Sequence, residues 1–257
     1  MSIRTIQCYD GKDVSDISAD IVPEVPLRLY LNGKLLITIA CAGIHLQELA
    51  VGFLRSEDIV TEISDMNDIR ITEGDEPSVY VSTTVRRRSD QTLKTLGSSG
   101  ARGKRDGNEV FERFPHPGIV LTPKHILNLM EQLEEAATIH KATRGTHCSG
   151  LADASGMLIA REDIGRHNTI DMLCGHMLME GIKSSDKAIV TTGRVSSEIV
   201  LKVRRMGIPV IVSHSAATTG AMTLCKNLGM TLVGYVRNGK FNVYVNGNLK
   251  KDRKDSL

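Results

Sequence analysis

Beyond residue 145 the chain alternates short apolar strands with amphipathic helices, and this alternation restricts the fold more than any other feature. The predicted strands cover residues 146–152, 156–161, 188–192, 209–213, 230–236 and 241–245. Between them, apolar residues recur at helical spacing in segments that begin near residues 168, 196 and 218. Helices that separate apolar strands predict a layered α/β fold, with a mostly parallel sheet and some antiparallel strands at its edges.

The sequence predicts two domains that meet near residue 120. Residues 1–120 are predicted to form a strand-rich α+β domain, with one helix over about 44–55 and a hairpin turn at Asn32-Gly33. Near its end lies a glycine-rich basic segment, residues 97–107, which we expect to be a mobile loop. Residues 121–257 are predicted to form the α/β domain. Its first helix starts at Thr122-Pro123 and runs to about residue 140.

The run REDIGRHN, residues 161–168, places five ionisable side chains where a strand gives way to a helix. Charges packed this densely cost stability unless they are paired or meet a ligand. One interpretation is a solvated turn whose charges pair with one another. We favour a functional site.

Two further junctions between a strand and a helix carry similar chemistry. In open α/β sheets, ligands bind beyond the carboxyl ends of strands, where helix amino termini present N–H groups that suit phosphates. The candidate ligand residues at the three junctions are Arg161, Gly165, Arg166, His167 and Asn168, then Gly193, Arg194 and Ser196, and then Ser215 and Thr218. At any single junction, Ser196 or Thr218 could be only a helix cap. Three junctions in one sheet favour an anionic, nucleotide-like ligand, although the chain has neither a P-loop nor a GxGxxG fingerprint.

Composition excludes several classes of protein. A formal charge of +2 does not indicate nucleic-acid or membrane-surface binding, and no apolar run reaches membrane-spanning length. The amino terminus lacks a signal-peptide core, so we expect a cytoplasmic protein. The five cysteines are scattered without a CxxC pair, which argues against a disulfide framework. No cluster of residues has the spacing of metal ligands, so we predict no metal site.

The chain resembles the FdhD/NarQ family of formate dehydrogenase accessory proteins over most of its length. The matching segments are PEVPL at 23–27, ELAVGFL at 48–54, GTH at 145–147, REDIGRHN at 161–168, GRVSSE at 193–198, SAAT at 215–218 and GYVR at 234–237. So many matches in the same order make the resemblance specific.

The resemblance implies a function and a ligand. Family members bind the molybdenum cofactor in its bis-guanine-dinucleotide form, and they pass sulfur to it from a cysteine desulfurase for use by the formate dehydrogenase apoenzyme. It also implies a second domain with a three-layer, cytidine-deaminase-like mixed sheet. The family's cofactor-contacting stretch maps onto Tyr235, Val236, Arg237, Asn238, Gly239 and Lys240. Whether molybdenum or tungsten is used stays open.

One departure from the family affects sulfur transfer. In the family's C-G-x-C-G loop, Ser99 and Arg102 of this chain take the two cysteine positions. Neither can hold a persulfide, because sulfur relay needs a thiolate. Cys148 is a candidate substitute, since it follows His147 in the matched GTH element, but a small packed residue is the simpler interpretation.

Two functions are compatible with these observations. The first is an accessory protein that binds the guanine-dinucleotide cofactor, acting as a chaperone without sulfur transfer through the 97–107 loop. The second is a deaminase-fold enzyme acting on a nucleotide, with His167 and either Glu162 or Asp163 as acid and base. The apolar amino-terminal hairpin around Asn32-Gly33 also suggests a homodimer.

Overall fold

The computed structural model describes residues 2–74, 76–84, 112–114, 118–247 and 249–250. The predicted loop at 97–107, with Ser99 and Arg102, therefore lies outside the described residues. Within them the strands form three sheets, and the fold is mixed α/β, as predicted.

The first part of the chain holds two of these sheets. Strands β1 (Ser2–Tyr9) and β2 (Val14–Ile21) pair antiparallel as a hairpin that the sequence did not predict. The second sheet has the order β4-β3-β6-β5. Its strands are β3 (Val25–Leu31), β4 (Lys34–Cys41), β5 (Met66–Thr72) and β6 (Ser78–Thr83), and helix α1 (Leu46–Ser56) packs against it. The predicted turn joins β3 to β4, with positive φ at Asn32 (49°) and Gly33 (78°).

The third sheet has six strands in the order β12-β11-β10-β9-β7-β8. They are β7 (His147–Asp153), β8 (Gly156–Asp163), β9 (Ala188–Thr191), β10 (Val210–Ser213), β11 (Thr231–Arg237) and β12 (Lys240–Val245). Strands β9, β10 and β11 are parallel, whereas β7, β8 and β12 join antiparallel. The expected parallel centre and antiparallel edges are confirmed, but only two of the five strand pairings are parallel, so the sheet is mixed and not mostly parallel.

Helices cover both faces of this sheet, which gives three layers. On one face lies α2 (Pro123–Ala136), whose apolar side packs on the sheet. The other face is covered by α4 (Arg166–Met179), α5 (Ser197–Arg205) and α6 (Thr219–Leu228). None of the helices in the described ranges is long and apolar enough to cross a membrane.

The single helix predicted to run to about residue 140 is divided in the structure. Helix α2 ends at Ala136, and a short helix α3 (Thr138–Thr143) follows. The Glu162 carboxylate accepts hydrogen bonds from the backbone N–H groups of Ile139 (2.8 Å) and His140 (2.7 Å). In a continuous helix these N–H groups would donate to backbone carbonyls of the preceding turn. Because the Glu162 carboxylate of β8 accepts them instead, α3 begins as a separate helix.

Two glycines allow α1, in the first part of the chain, to pack closely against α4, which covers the six-stranded sheet. A Cβ at Gly52 of α1 would lie 1.7 Å from the Asp171 carbonyl oxygen, and a Cβ at Gly175 of α4 would lie 1.9 Å from that of Glu48. The two helices therefore cross with their backbones in contact, which only glycine allows at these positions. This contact fixes where α4 begins relative to α1.

Candidate functional site

The loops that follow β9 and β10 are bonded to each other, and to the last part of β11, at one edge of the six-stranded sheet. Val195 and Ala217 form a parallel bridge between the first two loops. The Ser215 hydroxyl donates to the Thr192 carbonyl (2.8 Å), and the Tyr235 N–H donates to the Ser215 carbonyl (3.0 Å). Two of the three predicted junctions, those after β9 and β10, are thus adjacent in the fold, and the end of β11 lies beside them.

Glycines let the helix starts converge at this edge. A Cβ at Gly193 would lie 2.9 Å from Cβ of Arg166, which places the start of α4 against the loop after β9. A Cβ at Gly220 would lie 2.5 Å from the Ser197 hydroxyl, at the start of α5. The amino termini of α4, α5 and α6 therefore lie side by side, with their first-turn N–H groups at one edge.

Two buried donors at these helix starts have no hydrogen-bond partner among the described residues: Nε of Arg166 and the hydroxyl of Ser196. Ser196 occupies the cap position of α5, but its side chain makes no capping bond. A buried donor without a partner costs about 1–3 kcal/mol. An anion bound at this edge would satisfy both donors.

The site carries net positive charge. Burial and the nearby Arg194 lower the pKa of the Arg166 guanidinium from its ordinary value, and Glu198 acts against this shift. An arginine stays charged despite such a shift. Arg194 lies close enough to Arg166 to disfavour its charge, and this excess of cationic groups over Glu198 is what a polyanion site needs.

His167 lies in the same cleft and contacts Glu198. The distance from its Nε2 to Oε2 of Glu198 is 3.2 Å, and His167 is only 6% exposed. The sequence singled out His167 but assigned it a different carboxylate. Glu198 is the partner because the loop after β9 brings the first turn of α5 to the first turn of α4.

The segment 235–240 is a bulged turn at the end of β11. Tyr235 adopts a left-handed conformation (φ 58°), and its ring lies under the Arg237 guanidinium at 3.4 Å. Asn238 (φ 51°) and Gly239 (φ 69°) complete the turn before Lys240 begins β12. Val236 differs from its neighbours, since it is 1% exposed and belongs to the core under α2. Its side chain is therefore not available to a ligand.

Two other predicted ligand residues are used structurally. Arg161 forms a bidentate ion pair with Glu48 of α1, with N–O distances of 2.6 and 2.7 Å. The Asn168 amide donates to the Ala40 carbonyl (2.8 Å) and to the Asp163 carboxylate (2.7 Å). We therefore leave both side chains out of the candidate site. Much of the dense charge in the 161–168 run is engaged, but largely with groups outside the run, and not in a solvated turn whose charges pair with one another.

The two carboxylates proposed for acid–base chemistry, Glu162 and Asp163, are hydrogen-bonded to backbone groups away from His167. Glu162 caps α3, as described above. Asp163 accepts hydrogen bonds from the N–H groups of Ala42 (2.8 Å) and Gly165 (2.9 Å), and it holds Gly165 in place as the cap residue of α4. The geometry contradicts the pairing of either carboxylate with His167 in catalysis.

Thr218 and Cys148 also have structural roles. The Thr218 hydroxyl accepts the N–H of Ala221 (3.2 Å) and so caps α6. Cys148 is fully buried against α2, and burial, with Glu162 nearby, raises the pKa of its thiol to about 12. A thiol without thiolate character or exposure is a poor sulfur acceptor, so the geometry counts against Cys148 as a substitute carrier.

The structure adds His147 to the site. Strand β7 runs antiparallel to β9, so its first residue lies at the edge where β9, β10 and β11 end. The sequence suggested this only weakly, since the position of His147 depends on how β7 pairs. The residues that meet at this edge are Arg166, His167, Gly193, Arg194, Ser196, Ser215, Tyr235 and, newly assigned, His147 and Glu198.

Comparison with known proteins agrees with this fold and extends along nearly the whole chain. Residues 22–249 match the FdhD/NarQ family. The chain is 33% identical over 249 residues to the sulfur carrier protein FdhD of Bacillus subtilis (strain 168), which covers 95% of each chain. It is 34% identical over 244 residues to the protein of the same name from Staphylococcus aureus (strain MRSA252), which covers 93% of this chain and 92% of that one.

A solved structure gives the same fold. It is the crystal structure of a protein from Desulfotalea psychrophila described as a formate dehydrogenase accessory protein. The match has a TM-score of 0.78 and 23% identity, covering 95% of this chain and 96% of that one. The family match and relatives that are 33–34% identical over nearly the whole chain show that this chain belongs to the FdhD/NarQ family.

Proposed function

We propose that this protein binds the guanine-dinucleotide form of the molybdenum cofactor and assists the maturation of formate dehydrogenase. The observation that carries the proposal is the pair of buried, unpartnered donors, Nε of Arg166 and Oγ of Ser196, at converging helix starts. The names of the relatives, sulfur carrier protein FdhD and formate dehydrogenase accessory protein, support an accessory role toward formate dehydrogenase.

The residues present fit a ligand rich in phosphate. Backbone N–H groups at the starts of α4, α5 and α6 and the guanidinium groups of Arg166 and Arg194 would hold the phosphates. Tyr235 is 45% exposed and offers its ring for contact with a planar base. Arg237, which stacks on that ring, and Lys240 could pair with phosphate at the mouth of the site. When bound, the cofactor would contribute the metal centre that formate dehydrogenase uses.

The chain itself favours a binding role over a sulfur-carrying one. The relatives are named sulfur carriers, but Ser99 and Arg102 stand at the family's cysteine positions, and neither provides a thiolate. We therefore propose a cofactor-binding chaperone. Its partners would be the formate dehydrogenase apoenzyme and, if an interaction is retained, a cysteine desulfurase.

Calorimetry with GDP tests the binding site. Arg166→Met keeps much of the side-chain volume but removes the charge, and a hydrogen bond to a charged group contributes about 1.5–3 kcal/mol, so we expect at least about a tenfold loss of affinity. The matched control is Arg28→Met on the four-stranded sheet, whose guanidinium pairs with Glu76 at 2.7 Å. It should bind GDP as the wild type does. Failure of the wild type to bind GDP would refute the proposal.

One observation favours a second candidate, an enzyme acting on a nucleotide. The buried His167 contacts the Glu198 carboxylate at 3.2 Å, an arrangement that can orient an imidazole for proton transfer. Release of ammonia or phosphate from guanine or cytosine nucleotides, lost in His167→Gln, would support the enzyme. Binding without turnover would support the chaperone.

The hairpin of β1 and β2, which the sequence did not predict, supports a second copy of the chain as a partner. Large apolar side chains stay exposed on it: Ile3 is 74%, Tyr9 67% and Val14 62% exposed. Tyr9 and Val14 face each other across the two strands. Sedimentation velocity should show a dimer that the double change Tyr9→Ser, Val14→Ser shifts toward monomer. A monomeric wild type would contradict this part of the proposal.

A further inference from the structure

His147 lies level with Gly193, the glycine that lets the start of α4 approach the loop after β9. In the pairing of β7 with β9, Ser149 stands opposite Thr191, so His147, two residues earlier, lies level with Gly193. Hydrogen bonds hold this position: the Cys148 N–H donates to the Thr192 hydroxyl (3.0 Å), and the Thr192 N–H donates to the Cys148 carbonyl (2.9 Å). The strand therefore fixes where the His147 backbone lies.

The imidazole lies on the side of the sheet from which α4 starts. The Ser149 hydroxyl bonds to that of Thr169 in α4 (2.7 Å), and Leu151 packs in the core formed with α4, α5 and α6. Alternate residues of a strand share a face, so His147 points to the same side. One turn before Thr169, α4 begins at Arg166. His147 and Arg166 therefore border the same cleft.

The groups facing His147 are mostly cationic. Burial lowers the pKa of its imidazole, and the charges of Arg166, His140 and Arg194 lower it further. These groups come from three separate elements: α4, α3 and the loop after β9. His140 is held by its Nδ1 contact with the Thr146 carbonyl (2.5 Å).

The nearby carboxylates are already engaged. Asp163 stands opposite His147 in the pairing of β7 with β8, but its oxygens accept hydrogen bonds from Ala42, Gly165 and Asn168. Glu198 contacts His167. An imidazolium at position 147 would therefore meet positive charge unless an anion entered the cleft.

We propose that His147 is a third cationic ligand of the phosphate group, alongside Arg166 and Arg194, and that its imidazole takes up a proton when the phosphate binds. This inference rests on the proposed function, because the anion is the diphosphate of the guanine nucleotide. A diphosphate between the two arginines would replace repulsion of an imidazolium by attraction. The proton comes from the solvent buffer, and no covalent bond changes.

Calorimetry can count the proton. GDP is titrated into the protein at pH 7 in buffers of different ionisation enthalpy, and the slope of heat against that enthalpy gives the protons taken up. We expect the wild type to take up more protons per GDP than His147→Gln does. His125→Gln, an exposed histidine at the start of α2, is the matched control and should behave as the wild type does.

The affinity for GDP should depend on pH, because GDP binding is coupled to protonation of His147. Between pH 6 and pH 8, GDP affinity should fall about tenfold more for the wild type than for His147→Gln. His147→Arg carries a fixed charge, so it should bind GDP with a weaker pH dependence than the wild type. Guanosine lacks the phosphate, so its binding should show no difference between the wild type and His147→Gln.

The outcomes separate the two proposals. If GDP does not bind to the wild type, the proposed function fails. If GDP binds with equal proton uptake in the wild type and His147→Gln, the function stands and the role of His147 is overturned. If His147→Gln does not fold, the comparison of the wild type with His147→Arg decides, and equal pH dependence of the two would overturn the role.

Discussion

Arg161 and Glu48 form a bidentate ion pair, with Nε to Oε2 at 2.6 Å and Nη2 to Oε1 at 2.7 Å. Their side chains are 11% and 14% exposed. The pair joins β8 of the six-stranded sheet to α1 of the first part of the chain. An arginine that the sequence placed among phosphate ligands thus holds two parts of the protein together.

Removing Arg161 should therefore affect stability and leave GDP binding intact. Arg161→Met leaves the Glu48 carboxylate largely buried with its main partner gone, and we expect a loss of about 3 kcal/mol in the free energy of unfolding. Urea denaturation measures this. The exposed pair of Arg28 and Glu76 provides the control, because Arg28→Met should cost less than about 1 kcal/mol. Equal costs would contradict the assigned role.

The crossing of α1 and α4 should not tolerate a methyl group. In Gly175→Ala the added Cβ would lie 1.9 Å from the Glu48 carbonyl oxygen, so the helices must separate. We expect destabilisation of about 3 kcal/mol or failure to fold. Gly33→Ala separates packing from backbone strain, since φ there is 78° but nothing lies within 4 Å of the added Cβ. That control should cost only about 1–2 kcal/mol.

Ser196 and Thr218 occupy the same cap position but should respond differently to alanine. Thr218 accepts the Ala221 N–H (3.2 Å), so Thr218→Ala should lower the free energy of unfolding by about 1 kcal/mol. Ser196 makes no capping bond, so Ser196→Ala should change stability little while weakening GDP binding severalfold. Thermal melts with and without GDP distinguish these cases. A clear loss of stability in ligand-free Ser196→Ala would show that the serine is an ordinary cap.

The free energy of unfolding should fall as the pH drops below about 6.5, the ordinary pKa of a histidine side chain. Burial, together with neighbouring cations, lowers the pKa of His147 and of His45 in the folded protein. Between the unfolded and folded values the unfolded chain binds more protons, so acid favours unfolding in that window. Urea denaturation from pH 8 to pH 5 should show a smaller decline for the double change His45→Gln, His147→Gln. An identical decline would refute the assignment.

The buried thiols should resist modification. Cys41, Cys148, Cys174 and Cys225 are buried, and burial raises the pKa of each to about 12, whereas Cys8 is partly exposed. Native protein treated with iodoacetamide should therefore react first at Cys8, as peptide mass mapping would show. Incubation with a cysteine desulfurase and cysteine should add no sulfur to Cys148. A persulfide on Cys148, lost in Cys148→Ser, would restore it as a carrier.

Local patterns in the sequence were enough to predict the main architecture. Alternation of strands and helices predicted the six-stranded sheet, and Asn32-Gly33 predicted the hairpin turn that the structure contains. The three strand-to-helix junctions were predicted to converge because parallel strands end at the same edge of a sheet. The β1–β2 hairpin was missed, since its exposed strands lack a buried face that would impose a clear alternation.

Only the tertiary structure decided what the charged side chains contact. Arg161 pairs with Glu48, which lies 113 positions away in the sequence, and no local sequence pattern predicts a contact between residues so far apart. Antiparallel pairing of β7 brings His147 to the site, and the crossing of α1 with α4 fixes where Arg166 starts its helix. Periodicity determines which face of an element is apolar, so the sequence predicted the layers. Ion pairs depend on how the layers meet, so the partners of Arg161, His147 and His167 became known only from the fold.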